Sequence, residues 1–273
     1  TCIPEKHYMV DTSNKIVKIM SLVEEGFYFT INRPRQYGKT TTLFFLEKAL
    51  KDKYLLISTS FEGLGETKFE TEESFCSSIF YSFSQGLVYE NNEFKQKVQE
   101  SGKNLKTFEQ MSGAITRFVA ESGRKVVLLI DEVDKASNHI IFLNFLGVLR
   151  NKYLQREAGK DQTFHSIILA GVHDVKNIKK KLRPDSEAGY NSPWNIATEF
   201  KVDMSFSAKE ISTMLNQWKA ENDEFIMDVP LLSQEIYKFT SGYPFLVSKI
   251  CKLIEEELDR DWTVDGIQKA INI

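Results

Sequence analysis

Hydrophobic residues in the first part of the chain recur with two different spacings. Over residues 13–25 they recur at helical intervals behind a Ser-Asn cap, and Gly26 ends the run. Residues 27–32, FYFTIN, form a continuous apolar run, which predicts a buried strand. A helix is predicted over 40–53 and a second strand over 54–61, so the chain opens with a strand, a helix and a strand.

The same alternation returns after a polar stretch. Residues 125–134, KVVLLIDEVD, are apolar and end abruptly in acid, which is typical of a strand buried on both faces. A helix over 139–155, a strand over 164–171, a basic helix over 174–184 and a strand near 198–206 are predicted after it. This rhythm predicts an α/β fold, a three-layer sandwich whose parallel five-stranded sheet carries helices on both faces.

Two regions show helical patterns only. Residues 62–124 are polar-rich, and their pattern predicts helices without indicating a role. From Ser207 onward every hydrophobic run also has helical spacing. We therefore predict two domains, an α/β core over residues 1–206 and a small all-helical domain over residues 207–273.

The composition adds little to the fold prediction but argues against some functions. Of the 273 residues, 42% are hydrophobic and 27% are charged, as in ordinary globular proteins. The formal net charge of −3 argues against a chain wholly dedicated to nucleic acid, although local basic patches are compatible with it. The three cysteines are widely spaced and form no metal-binding pattern, which indicates a reducing compartment.

Neither a membrane span nor a signal peptide is predicted. No apolar run approaches the roughly 18–20 residues that a spanning helix needs, and the first residues lack the basic-then-apolar order of a signal peptide. We expect a cytoplasmic protein with no membrane partner. Because the chain starts with Thr1, we also expect it to be part of a longer protein.

The segment NRPRQYGKTTTL, residues 32–43, matches most of a phosphate-binding loop. Gly38, Lys39 and Thr40 match the end of the pattern G-x-x-x-x-G-K-[ST], while Arg33 stands where the first glycine belongs. A strand before the loop and a helix after it suit phosphate, because backbone N–H groups and the helix dipole both favour an anion. The alternative is an ordinary helix start with a solvated lysine. The predicted nucleotide-binding residues of the loop are Arg35, Gln36, Tyr37, Gly38, Lys39, Thr40 and Thr41.

A second motif, VVLLIDE, ends the predicted strand over 125–134. We expect Thr40 and Asp131 to ligate Mg²⁺, and Glu132 to orient and deprotonate an attacking water, with Lys39 reaching the β and γ oxygens. A capped loop could also begin with Asp-Glu. The two motifs in this order, with one strand between them, favour the nucleotide site.

These tracts carry a family resemblance. RPRQYGKTTTL and LLIDEVDKA resemble the P-loop ATPases of the AAA+ and STAND groupings, most closely the archaeal-type ATPases. YFTINRPRQYGKTT, ILAGVHDVKNIKKKLRP and NSPWNIA resemble the bacterial AAA-like or AAA-ATPase-like domain proteins. The resemblance covers nearly the whole chain and implies a P-loop NTPase core, bound ATP and Mg²⁺, and a small all-helical lid domain. It also implies that Arg33 belongs to a subfamily variant of the loop.

The resemblance implies roles for residues outside the two motifs. His173, or Asp174 beside it, would be a sensor of the γ-phosphate, although His173 could instead cap the next helix. Pro244 in SGYPFLVSKI would close over the base as part of the lid, unless it is only a proline in the first turn of a helix. Tyr8 and Met9, with Val10, would line the adenine, the alternative being plain packing.

The basic helix over 174–184 leaves three interpretations open. It is a solvated face, or Arg183 is an arginine finger that supports self-association, or its lysines bind a nucleic-acid backbone. The function predicted first is a Mg²⁺-dependent ATPase that couples hydrolysis to a conformational or assembly switch. The alternatives are a non-hydrolysing nucleotide switch and the ATPase part of a nucleic-acid-processing protein.

Overall fold

A computed structural model describes residues 2–137, 139–172 and 194–273. The chain divides into two compact units, which are described separately. The helical unit comprises Thr1–Lys18, Arg35–Thr42 and Val202–Ile273, and the sheet unit comprises Ile19–Pro34 and Leu43–Lys201.

The described part of the sheet unit contains four parallel strands: β1, Tyr28–Asn32; β2, Leu55–Ser60; β3, Val126–Asp131; and β4, Ser166–Gly171. Their order is β1-β4-β3-β2. Every residue of β3 and β4 is buried, which confirms the prediction of a parallel sheet covered on both faces. Because β1 and β3 both pair in parallel with β4, which lies between them, the carboxyl ends of β1 and β3 reach the same edge of the sheet.

The prediction of a fifth strand over 198–206 is wrong for the described sheet. Only Thr198 pairs, through a single bridge to Phe29 in which its N–H donates to the carbonyl of Tyr28. The backbone beyond it bonds elsewhere: the Asp203 carboxylate accepts from the N–H of Ser205 in a local turn. The segment is therefore loop: the alternate side chains Phe200, Val202 and Met204 are buried, but its backbone forms no ladder of strand bonds.

Six helices precede or connect these strands. The region 62–124, predicted to be mostly helical, forms three of them and a short 3₁₀ turn. Their apolar faces join the core of the sheet unit, where the rings of Phe75 and Phe145 lie 5.3 Å apart. The bounds are α1, Ser13–Glu24; α2, Lys39–Leu50; 3₁₀, Glu66–Phe69; α3, Glu72–Gly86; α4, Asn92–Ser101; α5, Phe108–Ser122; 3₁₀, Val133–Ala136; and α6, Ile140–Glu157.

The helical unit has its own hydrophobic core. Ser207 caps helix α7, Ala208–Glu221, in a capping box with Glu210, as the sequence pattern favours. The rings of Trp218 and Trp262 pack at 4.9 Å in the core. Whether this unit acts as a lid stays a prediction, and so does the domain boundary at residue 206. The bounds are α7, Ala208–Glu221; α8, Val229–Thr240; α9, Pro244–Glu257; and α10, Val264–Asn272.

Within the helical unit the N-terminal segment lies along α7. The Tyr8 hydroxyl donates to Glu221, the Met9 N–H to the side chain of Gln217, and the Asp11 N–H to Thr213. The acceptors recur at three or four residues, so they share one face of the helix. Lys15 continues the row with a half-buried ion pair to Glu210 at 2.7 Å.

Candidate functional site

Arg33 extends strand β1 instead of turning the chain. Its N–H donates to the carbonyl of Gly171 at 3.2 Å, which continues the pairing of Asn32 with Gly171. One guanidinium nitrogen donates to the carbonyl of Asn32 at 2.9 Å, and the guanidinium carbon lies 5.4 Å from the centroid of the Phe200 ring. The conformation at position 33 therefore does not require glycine.

The turn of the loop comes three residues later. Among residues 32–43, all of them described, positive φ occurs at Gln36, 62°, and at Gly38, 74°. A Cβ added to Gly38 would meet no atom of the described residues within 4 Å, apart from its chain neighbours, so this glycine serves backbone conformation and leaves open space beside the loop. Helix α2 then begins at Lys39, which is buried, and Thr42 donates its N–H to the Gly38 carbonyl at 2.8 Å. The positive end of a 12-residue helix dipole thus follows the turn, as a phosphate site requires.

Other predicted loop residues contact the helical unit to which they belong. The Tyr243 hydroxyl donates to the carbonyl of Arg35 at 2.9 Å, and the rings of Tyr37 and Tyr243 lie 4.8 Å apart. The Thr41 hydroxyl accepts from the backbone N–H of Cys2 at 3.3 Å. The structure thus brings Arg35 and Tyr37 next to the residue that precedes Pro244. Tyr243 was missed in the sequence, where its place directly before the proline of the lid motif was the available signal.

The predicted adenine and lid residues also lie in the helical unit. Pro244 is buried in the first turn of α9. The hydrogen bond from Tyr8 to Glu221 raises the pKa of the Tyr8 phenol, and burial adds to the shift. Val10 belongs to the hydrophobic core of this unit. The roles of Tyr8, Met9 and Pro244 in binding adenine stay predictions.

Two acidic residues lie at the end of strand β3 in the sheet unit: Asp131 is its last residue and Glu132 follows it. Asp131 is 8% exposed, and its carboxylate accepts from the N–H of Glu132 at 2.9 Å. Glu132 itself has the left-handed conformation, with φ 53° and ψ 39°. Such backbone strain in a residue with a side chain costs on the order of 1–3 kcal/mol and is concentrated at functional sites. Glu132 is half-buried and lies at the edge of the sheet where β1 also ends.

A third acidic residue, Asp134, joins the neighbouring strand. Its carboxylate accepts a hydrogen bond from the backbone N–H of Val172, directly after β4. A Cβ on Gly171 would lie 2.8 Å from the Asp134 carboxylate and 2.9 Å from the Val133 side chain. Asp134 therefore fixes the end of β4 and needs glycine at position 171. No role for Asp134 is predicted from the sequence, although the pattern DEVD places it beside the two motif acids.

The structure does not describe the remaining predicted site residues. His173, Asp174 and Arg183, with the rest of residues 174–184, lie outside the described residues. Their roles as sensor, helix cap and arginine finger stay predictions. No described helix is both long enough and apolar enough to cross a membrane.

The donor types present fit Mg²⁺ bound together with phosphate. Nowhere in the described ranges do three or more His, Cys, Asp or Glu residues form a group that could hold a metal ion. Mg²⁺ commonly takes one or two protein oxygens and completes its shell with substrate phosphates and water. The Thr40 hydroxyl and the Asp131 carboxylate are such hard oxygen donors.

The buried thiol of Cys76, whose pKa burial raises to about 12, is chemically unsuited to a reactive role.

One family model matches the chain over almost its full length. The model of the AAA-like domain matches residues 5–267. No curated protein matches the chain.

Several solved structures share the fold. A Walker-type ATPase of Pyrococcus abyssi aligns over 96% of this chain and 71% of its own, with 14% identity and a TM-score of 0.59. The ORC2 protein of Aeropyrum pernix, solved as ADPNP-ADP complexes, aligns over 95% of this chain and 66% of its own, with 11% identity and a TM-score of 0.51. The ORC1 protein of the same organism, solved with DNA, aligns over 97% of this chain and 65% of its own, with 11% identity and a TM-score of 0.51. This chain thus spans about two thirds of the length of the two ORC proteins.

Proposed function

The chain belongs to the AAA-like domain family of P-loop ATPases, and on this premise we propose that it binds ATP with Mg²⁺ and hydrolyses it. The observation that carries the proposal is the loop after β1, whose left-handed Gln36 and Gly38 lead into the N-terminus of α2. This backbone suits phosphate oxygens, because the turn presents N–H groups and the helix dipole adds positive charge.

The loop residues bind and orient the triphosphate in this proposal. Backbone groups of Arg35–Thr41 contact the phosphate oxygens, and the Lys39 ammonium reaches the β and γ oxygens, where it stabilises the charge that shifts during transfer. Gly38 allows the closest approach, since, its chain neighbours aside, no atom in the described part of the chain lies within 4 Å of the position that its side chain would occupy. Arg33 leaves these contacts intact because it belongs to the strand ladder.

The acidic residue Asp131 binds the metal ion, and Glu132 binds the attacking water. Mg²⁺ supplies charge neutralisation on the phosphates when bound, and Thr40 and Asp131 are the residues that would hold it. Glu132 orients the attacking water and accepts its proton. Its strained backbone is the local support for this role, because an ordinary strand end would leave Glu132 in an extended conformation.

Residues outside the loop and the acidic motif have further roles in this proposal. His173 acts as the γ-phosphate sensor, Tyr8 and Met9 line the adenine, and Pro244 closes over it as part of a helical lid. Arg183 reaches a second copy in an assembly. Loss of the γ-phosphate then changes the preferred conformation or assembly state, which is the output of the cycle.

Two variants test the proposal. ATP affinity in the presence of Mg²⁺ and phosphate release are measured for the parent, Lys39→Ala and Glu132→Gln. Lys39→Ala should lose binding, whereas Glu132→Gln should bind ATP and release phosphate at least about a hundredfold more slowly. Equal affinity in the parent and Lys39→Ala would contradict the site. Nucleotide-dependent stabilisation without phosphate release from the parent would favour the non-hydrolysing switch instead.

A role in nucleic-acid processing is the second candidate. It is supported by the ORC1 structure solved with DNA, which has this fold, and by the lysines within residues 174–184. A salt titration of DNA binding tests it, because contacts to phosphate weaken steeply with salt. Charge reversal of Lys179, Lys180 and Lys181 should abolish binding, and unchanged binding would contradict this role.

A further inference from the structure

One side chain of the helical unit contacts two residues of the phosphate loop. The hydroxyl of Tyr243 donates to the carbonyl of Arg35 at 2.9 Å, and its ring lies 4.8 Å from the ring of Tyr37, with 31° between the planes. Arg35 and Tyr243 are 208 positions apart in the sequence. Both contacts lie within one compact unit, so tertiary folding of that unit creates them.

The backbone on the Tyr243 side is held firmly. Ser241 and Gly242 are left-handed, with φ 49° and 73°, and the Tyr243 N–H donates to the Thr240 carbonyl at 2.9 Å. The N–H of Phe206 donates to the Gly242 carbonyl at 2.8 Å, and a Cβ on Gly242 would lie 1.9 Å from the Phe206 carbonyl oxygen. The turn between α8 and α9 therefore presents Tyr243 from a tightly packed position.

The backbone on the loop side is strained at the residue between the two contacts. Gln36 is exposed and left-handed, and it follows Arg35 and precedes Tyr37. A residue with a side chain keeps this conformation only where its surroundings fix it. Tyr243 fixes the residue before it by a hydrogen bond and the residue after it by ring packing.

We propose that Tyr243 is a positioning residue, which holds the loop at Gln36 in the conformation that binds phosphate and thereby couples α9 to ATP. The inference rests on the proposed function for its ligand, whereas the clasp formed by Tyr243, Arg35 and Tyr37 exists without it. ATP binding to the loop stabilises the clasp and with it the start of α9, and loosening the clasp lowers affinity for ATP.

The first measurement needs no nucleotide. Hydrogen exchange of the full chain is compared for the parent, Tyr243→Phe and the control Tyr237→Phe, which makes the same substitution at an exposed tyrosine on α8. Loss of one hydrogen bond should speed exchange in peptides that cover residues 35–38 by about fivefold, while Tyr237→Phe exchanges like the parent. Loop exchange in Tyr243→Phe equal to that of the parent would overturn the inference.

The second measurement is affinity for ATP with Mg²⁺. Tyr243→Phe should raise the Kd by about fivefold, with phosphate release at saturating ATP close to that of the parent, because the acids on β3 are untouched. If the parent binds no ATP, the proposed function fails, and the exchange result alone still decides the clasp. If the parent binds and Tyr243→Phe binds equally well, positioning by Tyr243 is refuted. Tyr37→Leu, which keeps the hydroxyl bond and removes the ring contact, should weaken binding in the same direction and replaces Tyr243→Phe if that chain fails to fold.

Discussion

The carboxylate of Asp134 accepts a hydrogen bond from the backbone N–H of Val172, the residue directly after β4. Asp134 belongs to the 3₁₀ turn that follows the two acids of β3, so the bond ties the ends of two adjacent strands together. Gly171 permits the approach, because a Cβ there would be 2.8 Å from the Asp134 carboxylate. The end of β4 is therefore set by a side chain from the acidic motif.

Gly171→Ala tests this arrangement. The new methyl group would displace the Asp134 carboxylate and the Val133 side chain, and we expect it to reduce the free energy of unfolding by about 1–3 kcal/mol. Chemical denaturation gives the value. Gly147→Ala in α6 is the matched control: outside its own helix backbone, no atom of the described residues lies within 4 Å of its added Cβ, and alanine should stabilise the helix by about 1 kcal/mol. Similar effects of the two substitutions would contradict the close approach.

Replacing Arg33 by the expected glycine should weaken the protein without improving the loop. Arg33→Gly removes the bond to the Asn32 carbonyl and the contact with the Phe200 ring, and it adds freedom to the unfolded chain. We expect the free energy of unfolding to fall by about 1 kcal/mol with ATP affinity no higher than that of the parent. Arg33→Lys, which keeps a cation near the ring, should lose less. A tighter-binding Arg33→Gly chain would show that the arginine impairs the site.

The strain at Glu132 predicts opposite effects on stability and turnover. Glu132→Gly relieves a left-handed backbone, so we expect the free energy of unfolding to rise by about 1 kcal/mol while phosphate release is lost. Glu132→Gln keeps the strain and should unfold like the parent. Parallel denaturation curves and phosphate-release assays check both. A Glu132→Gly chain less stable than the parent would mean that the carboxylate contributes more to folding than its backbone costs.

An ion pair between the buried Lys152 and the half-buried Asp161 in the sheet unit should matter for stability alone. Lys152 is 1% exposed, and its ammonium donates to Asp161 at 2.6 Å, to Thr116 at 2.7 Å and to the Ser112 carbonyl at 3.1 Å. Lys152→Met leaves the Asp161 carboxylate without its cation, and we expect a loss of about 3 kcal/mol in denaturation. Lys249→Met on the exposed face of α9 is the control and should have little effect.

The same pair gives a pH dependence. Burial opposes ionisation of Asp161, but the hydrogen bonds from Lys152 and Thr116 outweigh it and lower the pKa of that carboxyl. The folded chain then holds the proton less tightly than the unfolded chain. Its contribution to stability is complete above the ordinary pKa of about 3.9 and is lost as the pH falls further. Between about pH 5 and pH 3 the parent should lose stability more steeply than Asp161→Asn, whereas Asn at the exposed Asp223 should leave the slope unchanged.

Local patterns predicted most elements of the fold. The apolar run before the loop, the run that ends in Asp131 and the capping residue Ser207 specify structure through neighbours a few residues away. The loop motif likewise depends on residues adjacent in sequence. The predicted strand over 198–206 failed for the opposite reason, since strand formation needs a partner with free backbone groups, which hydrophobicity does not supply.

The sequence by itself therefore determined the alternating α/β pattern, the turn that leads into α2 and the place of Asp131 and Glu132 at the end of β3, because periodicity, turns and caps are local properties. Only the tertiary structure decided that four strands pair, that Arg33 continues a strand, and that Tyr243 and Asp134 reach backbone groups far away in sequence. Those contacts depend on how packed elements place a single hydroxyl or carboxylate, and no spacing along the chain encodes that distance.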